Sequence, residues 1–163
     1  MANRVTLKLE TVEQGLRFSY EAGSGTRSII DSGPGLVAPS PVEMLIASLG
    51  ACHAMDVIAV LRKKRLTVTS YEVKVTGERR EEHPRAFTRI DVLHVLRGVK
   101  IPATAVIEAV RLTDTKYCTV HASMSEAIEI TSRYEILPET GDGPVTAGTV
   151  HVTHGGLHEA SDA

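Results

Sequence analysis

Ser40-Pro41-Val42-Glu43-Met44-Leu45-Ile46-Ala47-Ser48-Leu49-Gly50-Ala51-Cys52 is the stretch on which the fold turns. Its first four residues have capping-box spacing, in which Ser40 and Glu43 each satisfy a backbone N–H that lacks a partner inside a helix, and proline suits the first helical position. A helix therefore starts at Pro41. It continues through Leu61 and closes on Arg62, Lys63, Lys64 and Arg65, whose charges suit the negative end of the helix dipole. At about 100° per residue, apolar side chains fall on nearly every side. The expectation is a helix buried over most of its circumference and wrapped by strands. A membrane span is the rival reading. Met44 to Leu61 is only 18 residues, however, and it holds His53 and Asp56; an Asp near a bilayer centre costs about 3 kcal/mol on insertion scales.

Upstream of the helix, Val5, Leu7 and Leu9 alternate with polar residues, and Leu16, Phe18 and Tyr20 alternate again after Gly15. Two half-buried strands forming a hairpin are expected, with a third strand starting near Ile29-Ile30 and a break at Gly33-Pro34-Gly35. Downstream, Tyr71, Val73 and Val75 alternate against Glu72, Lys74 and Thr76. A charged connection, Glu78 to Pro84, then leads to a strand over Phe87–Leu96 with Thr88, Ile90 and Val92 on one side. Ile101-Pro102-Ala103 opens a helical stretch with Val106, Ala109, Val110 and Thr113 on one side. A short helix near Cys118 follows, then a strand over Ala127–Tyr134. Strands, long helix, strands, helices, strand is α+β segregation, not the strict alternation of a doubly wound parallel sheet. Residues 1–137 form the expected domain. Residues 138–163, rich in Gly, Thr and His, read as a tail in which Val150 and Val152 hint at another strand.

With 163 residues, 42% hydrophobic and 23% charged, the chain has room for one ordinary domain. Eighteen Lys and Arg against 20 Asp and Glu leave no basic excess for gripping phosphates. Two Phe, four Tyr and no Trp offer few stacking platforms, so a nucleic-acid partner is not expected. The N-terminus lacks the continuous apolar run of a secretory signal, and a cytoplasmic location is expected. Thiols there stay reduced, and two cysteines 66 positions apart match neither a zinc ribbon nor a disulfide scaffold. Burial as small hydrophobes is one reading of them. His151, His154 and His158 lie close in sequence, but no helix context or carboxylate partner supports a metal there. No cofactor and no metal are expected.

Cys52 shares its helix face with Leu45, Ser48, Leu49, Met55, Asp56 and Ala59. An apolar setting raises a thiol pKa, so a nucleophilic Cys52 would need a cation beside it. Asp56 has the wrong charge, and His53 points about 100° away. Cys118 falls at the start of a short helix, where the dipole favours thiolate, and by this reasoning is the more acidic of the two.

The capped Ser40-Pro41 helix leading to Cys52, the later Lys116-Tyr117-Cys118-Thr119-Val120 and the closing alternating strand resemble the OsmC/Ohr family of thiol-dependent peroxide reductases, over roughly Val5 to Ile136. The Glu78-Arg79-Arg80-Glu81-Glu82 hairpin and the Lys-Tyr-Cys context look most like the YhfA-like branch. The resemblance implies a two-layer α+β subunit, with antiparallel sheets around the long central helix, intertwined with a second copy as a homodimer. It also implies that Cys52 attacks a peroxide and becomes a sulfenic acid, that Cys118 condenses with it into a disulfide, and that a dithiol reductant restores both. Hydroperoxide-specialised members carry a glutamate ten residues before the first cysteine. This chain has Val42 there and Glu43 one place later, where the capping box also uses it. Such members hold the thiolate with an arginine of the N-terminal hairpin, for which Arg17 and Arg27 are the candidates here. The rival from another class is a protein of this fold that binds or senses a small apolar or thiol-bearing molecule, with little or no turnover. The blandest reading is a structural dimer with two buried thiols.

Overall fold

The computed structural model describes residues 3–10, 16–32, 37–140 and 143–151. The turn at Gly15, the break at Gly33-Pro34-Gly35, Val152, His154 and His158 lie outside the described residues. The chain divides into two compact units, residues 1–45 and 46–163.

The first unit is an antiparallel three-stranded sheet, β1 (Val5–Leu9), β2 (Phe18–Ala22) and β3 (Arg27–Ile30), in that order. Leu7 faces Tyr20 across the hairpin and Phe18 faces Ile30. At the mouth of the sheet Arg17 grips the buried Asp31 through Nε at 3.1 Å and Nη2 at 3.0 Å. The expected half-burial of β1 is not found. Val5, Leu7 and Leu9 are all exposed.

Helix α1 (Pro41–Lys63) begins as its capping box dictates. Ser40 N–H and Oγ–H both donate to Glu43 Oε2 at 2.7 Å, and Glu43 N–H donates back to Ser40 Oγ at 3.3 Å. It ends where Arg65 takes a left-handed conformation (φ 59°) and Leu66 N–H reaches back to the Leu61 carbonyl at 3.1 Å. Only one stripe of the helix is buried, namely Leu49, Gly50, His53, Val57 and Leu61. Leu45 and Met55 are exposed, Met55 by 69%. This corrects the expectation of burial around most of the circumference, because a four-stranded sheet can cover only one side of a helix. By length and composition α1 could cross a membrane, yet it packs this stripe against the sheet of the second unit and carries a fully buried histidine there.

That sheet is built from β4 (Val68–Arg79), β5 (Phe87–Gly98), β6 (Glu129–Leu137) and β7 (Thr146–Val150), in sequential order. β4 with β5 and β6 with β7 are antiparallel, but β5 with β6 is parallel. The sheet is therefore mixed, where antiparallel pairing alone was expected. Helices α2 (Ala103–Leu112) and α3 (Thr119–Ala122), joined by a wide π-type turn over Thr113–Tyr117, carry the chain back across the sheet, as a parallel pair requires. The inward phase of β5 is Ile90, Val92, His94 and Leu96. Thr88 is exposed, not inward as expected, because a bulge between Glu78 and Arg79 shifts the register beside it. β7 extends the sheet beyond Pro138, and Val150 joins the core. Two apolar clusters result, one around Val57, Leu61, Leu96, Val106 and Val110, the other around Leu49, Phe87, Ile90, Val92 and Cys118.

Candidate active site

Cys52 and Cys118 meet at the edge of the second cluster. Cys52 is half-buried on α1, while Cys118, 3% exposed, caps the N-terminus of α3. The π-type turn that precedes Cys118 sets its backbone: its N–H donates to the Thr113 carbonyl at 3.0 Å, and its own carbonyl accepts from Ala122 N–H at 3.0 Å. Its sulfur accepts from His121 N–H at 3.3 Å. The thiol sulfurs of Cys52 and Cys118 and a carboxylate oxygen of Asp56 all lie within 4.8 Å of one another. Leu49, Phe87, Ile90 and Val92, with Val75, Met124 and Ile130 beside them, wall this corner with hydrocarbon.

The electrostatics correct the expectation for Cys118. Burial pushes its thiol up to about 12, and the contact with Cys52 adds to the rise, while the His121 and Val120 N–H groups only partly oppose it. A four-residue helix has too small a dipole to offset removal from water. Cys118 therefore holds its proton at neutral pH and is a donor towards Cys52. On the other side, Cys52 Sγ–H reaches Asp56 Oδ2 at 3.9 Å, and burial raises the Asp56 carboxyl above its usual range. Within the second unit, among the described residues, no Lys or Arg bonds to either thiol. In the first unit Arg17 is paired with Asp31, Arg27 with Glu21 at 2.7 Å, and Glu43 with Ser40.

A second polar group, absent from the sequence reading, lies in the same unit. His53, one residue after Cys52, is fully buried with its ring near parallel to those of His94 (centroids 5.8 Å) and His121 (5.5 Å). Tyr71 OH bonds His94 Nδ1 at 2.7 Å. Asp114 Oδ1 stands 3.5 Å from His53 Nε2 and 3.4 Å from His121 Nδ1, and accepts from Ser132 Oγ at 3.2 Å. Burial pushes both His53 and His94 down to about 4, against partial opposition from Asp114. Both imidazoles are neutral near pH 7. The sequence carried a signal for this group. His94 is in phase with Ile90, Val92 and Leu96, and His53 with Leu49, Val57 and Leu61, so each interrupts an otherwise apolar face.

A mixed α+β frame thus holds two free thiols close together, Cys118 buried and Cys52 half-buried. Residues 33–133 match the family described as OsmC-like protein, and the chain belongs to that family. Protein YhfA of Escherichia coli strain K12 is 42% identical over 124 residues, which are 76% of this chain and 92% of that protein. The OsmC-like protein of Mycoplasma pneumoniae has the same fold (TM-score 0.71, 15% identity, 83% of this chain and 97% of that one). So does the organic hydroperoxide resistance protein OhrB of Bacillus subtilis (TM-score 0.56, 13% identity, 82% and 98%).

Proposed function

We propose that the chain is a thiol-dependent peroxidase that reduces organic hydroperoxides or hydrogen peroxide, with Cys52 as the attacking sulfur and Cys118 as the resolving one. The observation that carries this reading is the approach of the two thiols to within 4.8 Å in an apolar corner. The difference in burial supports the roles. Cys52 is open enough to meet a peroxide, and Cys118 keeps a proton to donate.

In the first step the Cys52 thiolate attacks the terminal oxygen of ROOH. The O–O bond breaks, Cys52 becomes a sulfenic acid, and the alkoxide takes a proton to leave as ROH. The Cys118 sulfur then attacks the sulfenic sulfur as its own proton leaves with the hydroxyl as water, forming the disulfide. A dithiol reductant returns both thiols by exchange. The sulfurs must close to a little over 2 Å, the length of a disulfide bond.

By resemblance, an arginine of the N-terminal hairpin is the cation for the Cys52 thiolate, with Arg17 and Arg27 as the candidates, and Glu43 stands nearest the position of the family glutamate. A homodimer is part of the proposal. Val5, Leu7 and Leu9 in the first unit, and Leu45 and Met55 on α1, are apolar side chains left open in a single chain, and a second copy would cover them. A cytoplasmic location suits a dithiol that must be re-reduced. A binding or sensing role is the second reading. It is favoured by Glu43, whose carboxylate is already engaged by Ser40, and by Val42 in the position of the family glutamate.

The test is consumption of tert-butyl hydroperoxide and hydrogen peroxide by the reduced protein with a dithiol reductant present. Rapid loss that disappears in Cys52→Ser supports the peroxidase. Loss no faster than with free cysteine, and unchanged in Cys52→Ser, moves the protein to the binding reading.

A further inference from the structure

The histidine side chains take no part in the proposed thiol steps, and their geometry has its own meaning. His53 Nε2 and His121 Nδ1 converge on a single oxygen, Asp114 Oδ1, at 3.5 and 3.4 Å, and the three donor atoms lie within 4.8 Å of one another. These separations exceed those of good hydrogen bonds. They match the edge of a tetrahedron around an ion with bonds of 2.0–2.1 Å to nitrogen and oxygen, which is about 3.4 Å.

Burial adds a second argument. His53 is 0% exposed, and among the described residues neither of its ring nitrogens has a hydrogen-bond partner. Polar atoms this deep are rarely left unsatisfied, and a ligand on Nε2 removes one of the two vacancies. The Asp114 side chain is 3% exposed, and no Lys or Arg pairs with it among the described residues. A buried carboxylate of this kind favours a cation. The backbone also presents Asp114 in an unusual way. It lies in the π-type turn Thr113–Tyr117, the irregularity that frequently marks functional positions in helices, and Ser132 fixes its oxygen from the neighbouring strand.

We propose that His53, Asp114 and His121 form a binding site for a divalent ion of the zinc class. Two imidazoles and one carboxylate suit borderline metals better than calcium or magnesium, which prefer oxygen, and better than copper(I), which prefers sulfur. Three protein donors leave one position of the tetrahedron to water. The proposal is independent of the peroxidase reading. Cys52, Asp56 and Cys118 also lie close enough to hold an ion, so the experiment must tell the two places apart.

The full chain, untagged and kept reduced, is titrated with Co²⁺, alongside a Cys52→Ser/Cys118→Ser variant. The expected result is one Co²⁺ per chain, with visible ligand-field bands of a four-coordinate nitrogen–oxygen site and no thiolate-to-cobalt charge-transfer band. The bands persist in the double variant and vanish on adding Zn²⁺. Asp114→Asn, nearly isosteric, weakens binding by at least about 100-fold. The wild-type and double-variant spectra decide the question even if Asp114→Asn fails to fold. Failure of the wild type to retain Co²⁺, or bands that carry thiolate charge transfer and disappear in the double variant, overturns the proposal.

Discussion

Cys52 and His53 are neighbours in sequence, one helical step apart, and they enter two different environments. Cys52 turns to a half-open corner where a second thiol waits. His53 turns into the sheet, where it meets two further imidazoles and a buried carboxylate. About 100° of rotation on one helix separates a site that solvent and a small molecule can reach from one that is closed. The surroundings of each side chain thus depend less on which polar residues the helix carries than on which side of it the sheet covers.

The largest expected effect on activity breaks the thiol side alone. Cys118→Ser removes the resolving sulfur and leaves the attack at Cys52 intact. One equivalent of peroxide should still be consumed, with a sulfenic acid trappable by dimedone, while steady-state turnover with a dithiol falls by at least about tenfold, or about 1.4 kcal/mol. Turnover as fast as wild type would show that the reductant reaches Cys52 directly.

Acid probes the other side. In the metal-free chain His53 and His94 titrate near 4, chiefly through burial, against 6.5 for an exposed imidazole, so below about 6.5 the unfolded chain takes up protons that the folded chain refuses. The stability they contribute is complete above 6.5 and falls as the pH drops towards 4. The slope approaches about 1.4 kcal/mol per pH unit for each histidine. Urea unfolding at a series of pH values measures it, and a flat profile between pH 7 and 5 would mean that these imidazoles are open to water.

Gly50 belongs to both sides, since it sets how closely α1 approaches β4. A Cβ there would stand 2.7 Å from Val75 Cγ2, a branched side chain with little freedom to yield. Overpacking of this kind costs about 1–3 kcal/mol, more than the gain of up to about 1 kcal/mol from replacing a glycine within a helix. Gly50→Ala should therefore lower stability on balance in denaturant unfolding. The smallest effect is at the entrance to the helix, distant in sequence from both groups. Ser40→Ala removes the cap and should cost about 1 kcal/mol.

Much of this arrangement can be read in the amino-acid order, and the parts that cannot have physical causes. The capping box, the extent of α1 and the alternation of β4 follow from local chemistry, and the structure has them where that chemistry puts them, whereas β6 runs over Glu129–Leu137, two to three residues later than the Ala127–Tyr134 expected. The parallel pairing of β5 with β6 does not, because the helices that permit it look the same in sequence as helices joining antiparallel strands. The two cysteines were legible as a pair only through resemblance to a family, since nothing local in 66 residues of separation brings them together. The acidity expected of Cys118 failed because a dipole is a local property and burial is not. His94 and His53 were visible as interruptions of apolar phase, but His121 and Asp114, on a short helix and an irregular turn, join them only through tertiary packing.

The most direct measurement is disulfide mapping by mass spectrometry after the fully reduced chain meets one equivalent of tert-butyl hydroperoxide. An intramolecular Cys52–Cys118 bridge, with the loss of two hydrogens from the intact mass, is the predicted result. A Cys52 that stops at the sulfenic acid while Cys118 stays a free thiol, or a chain that leaves the peroxide unreacted, would contradict it.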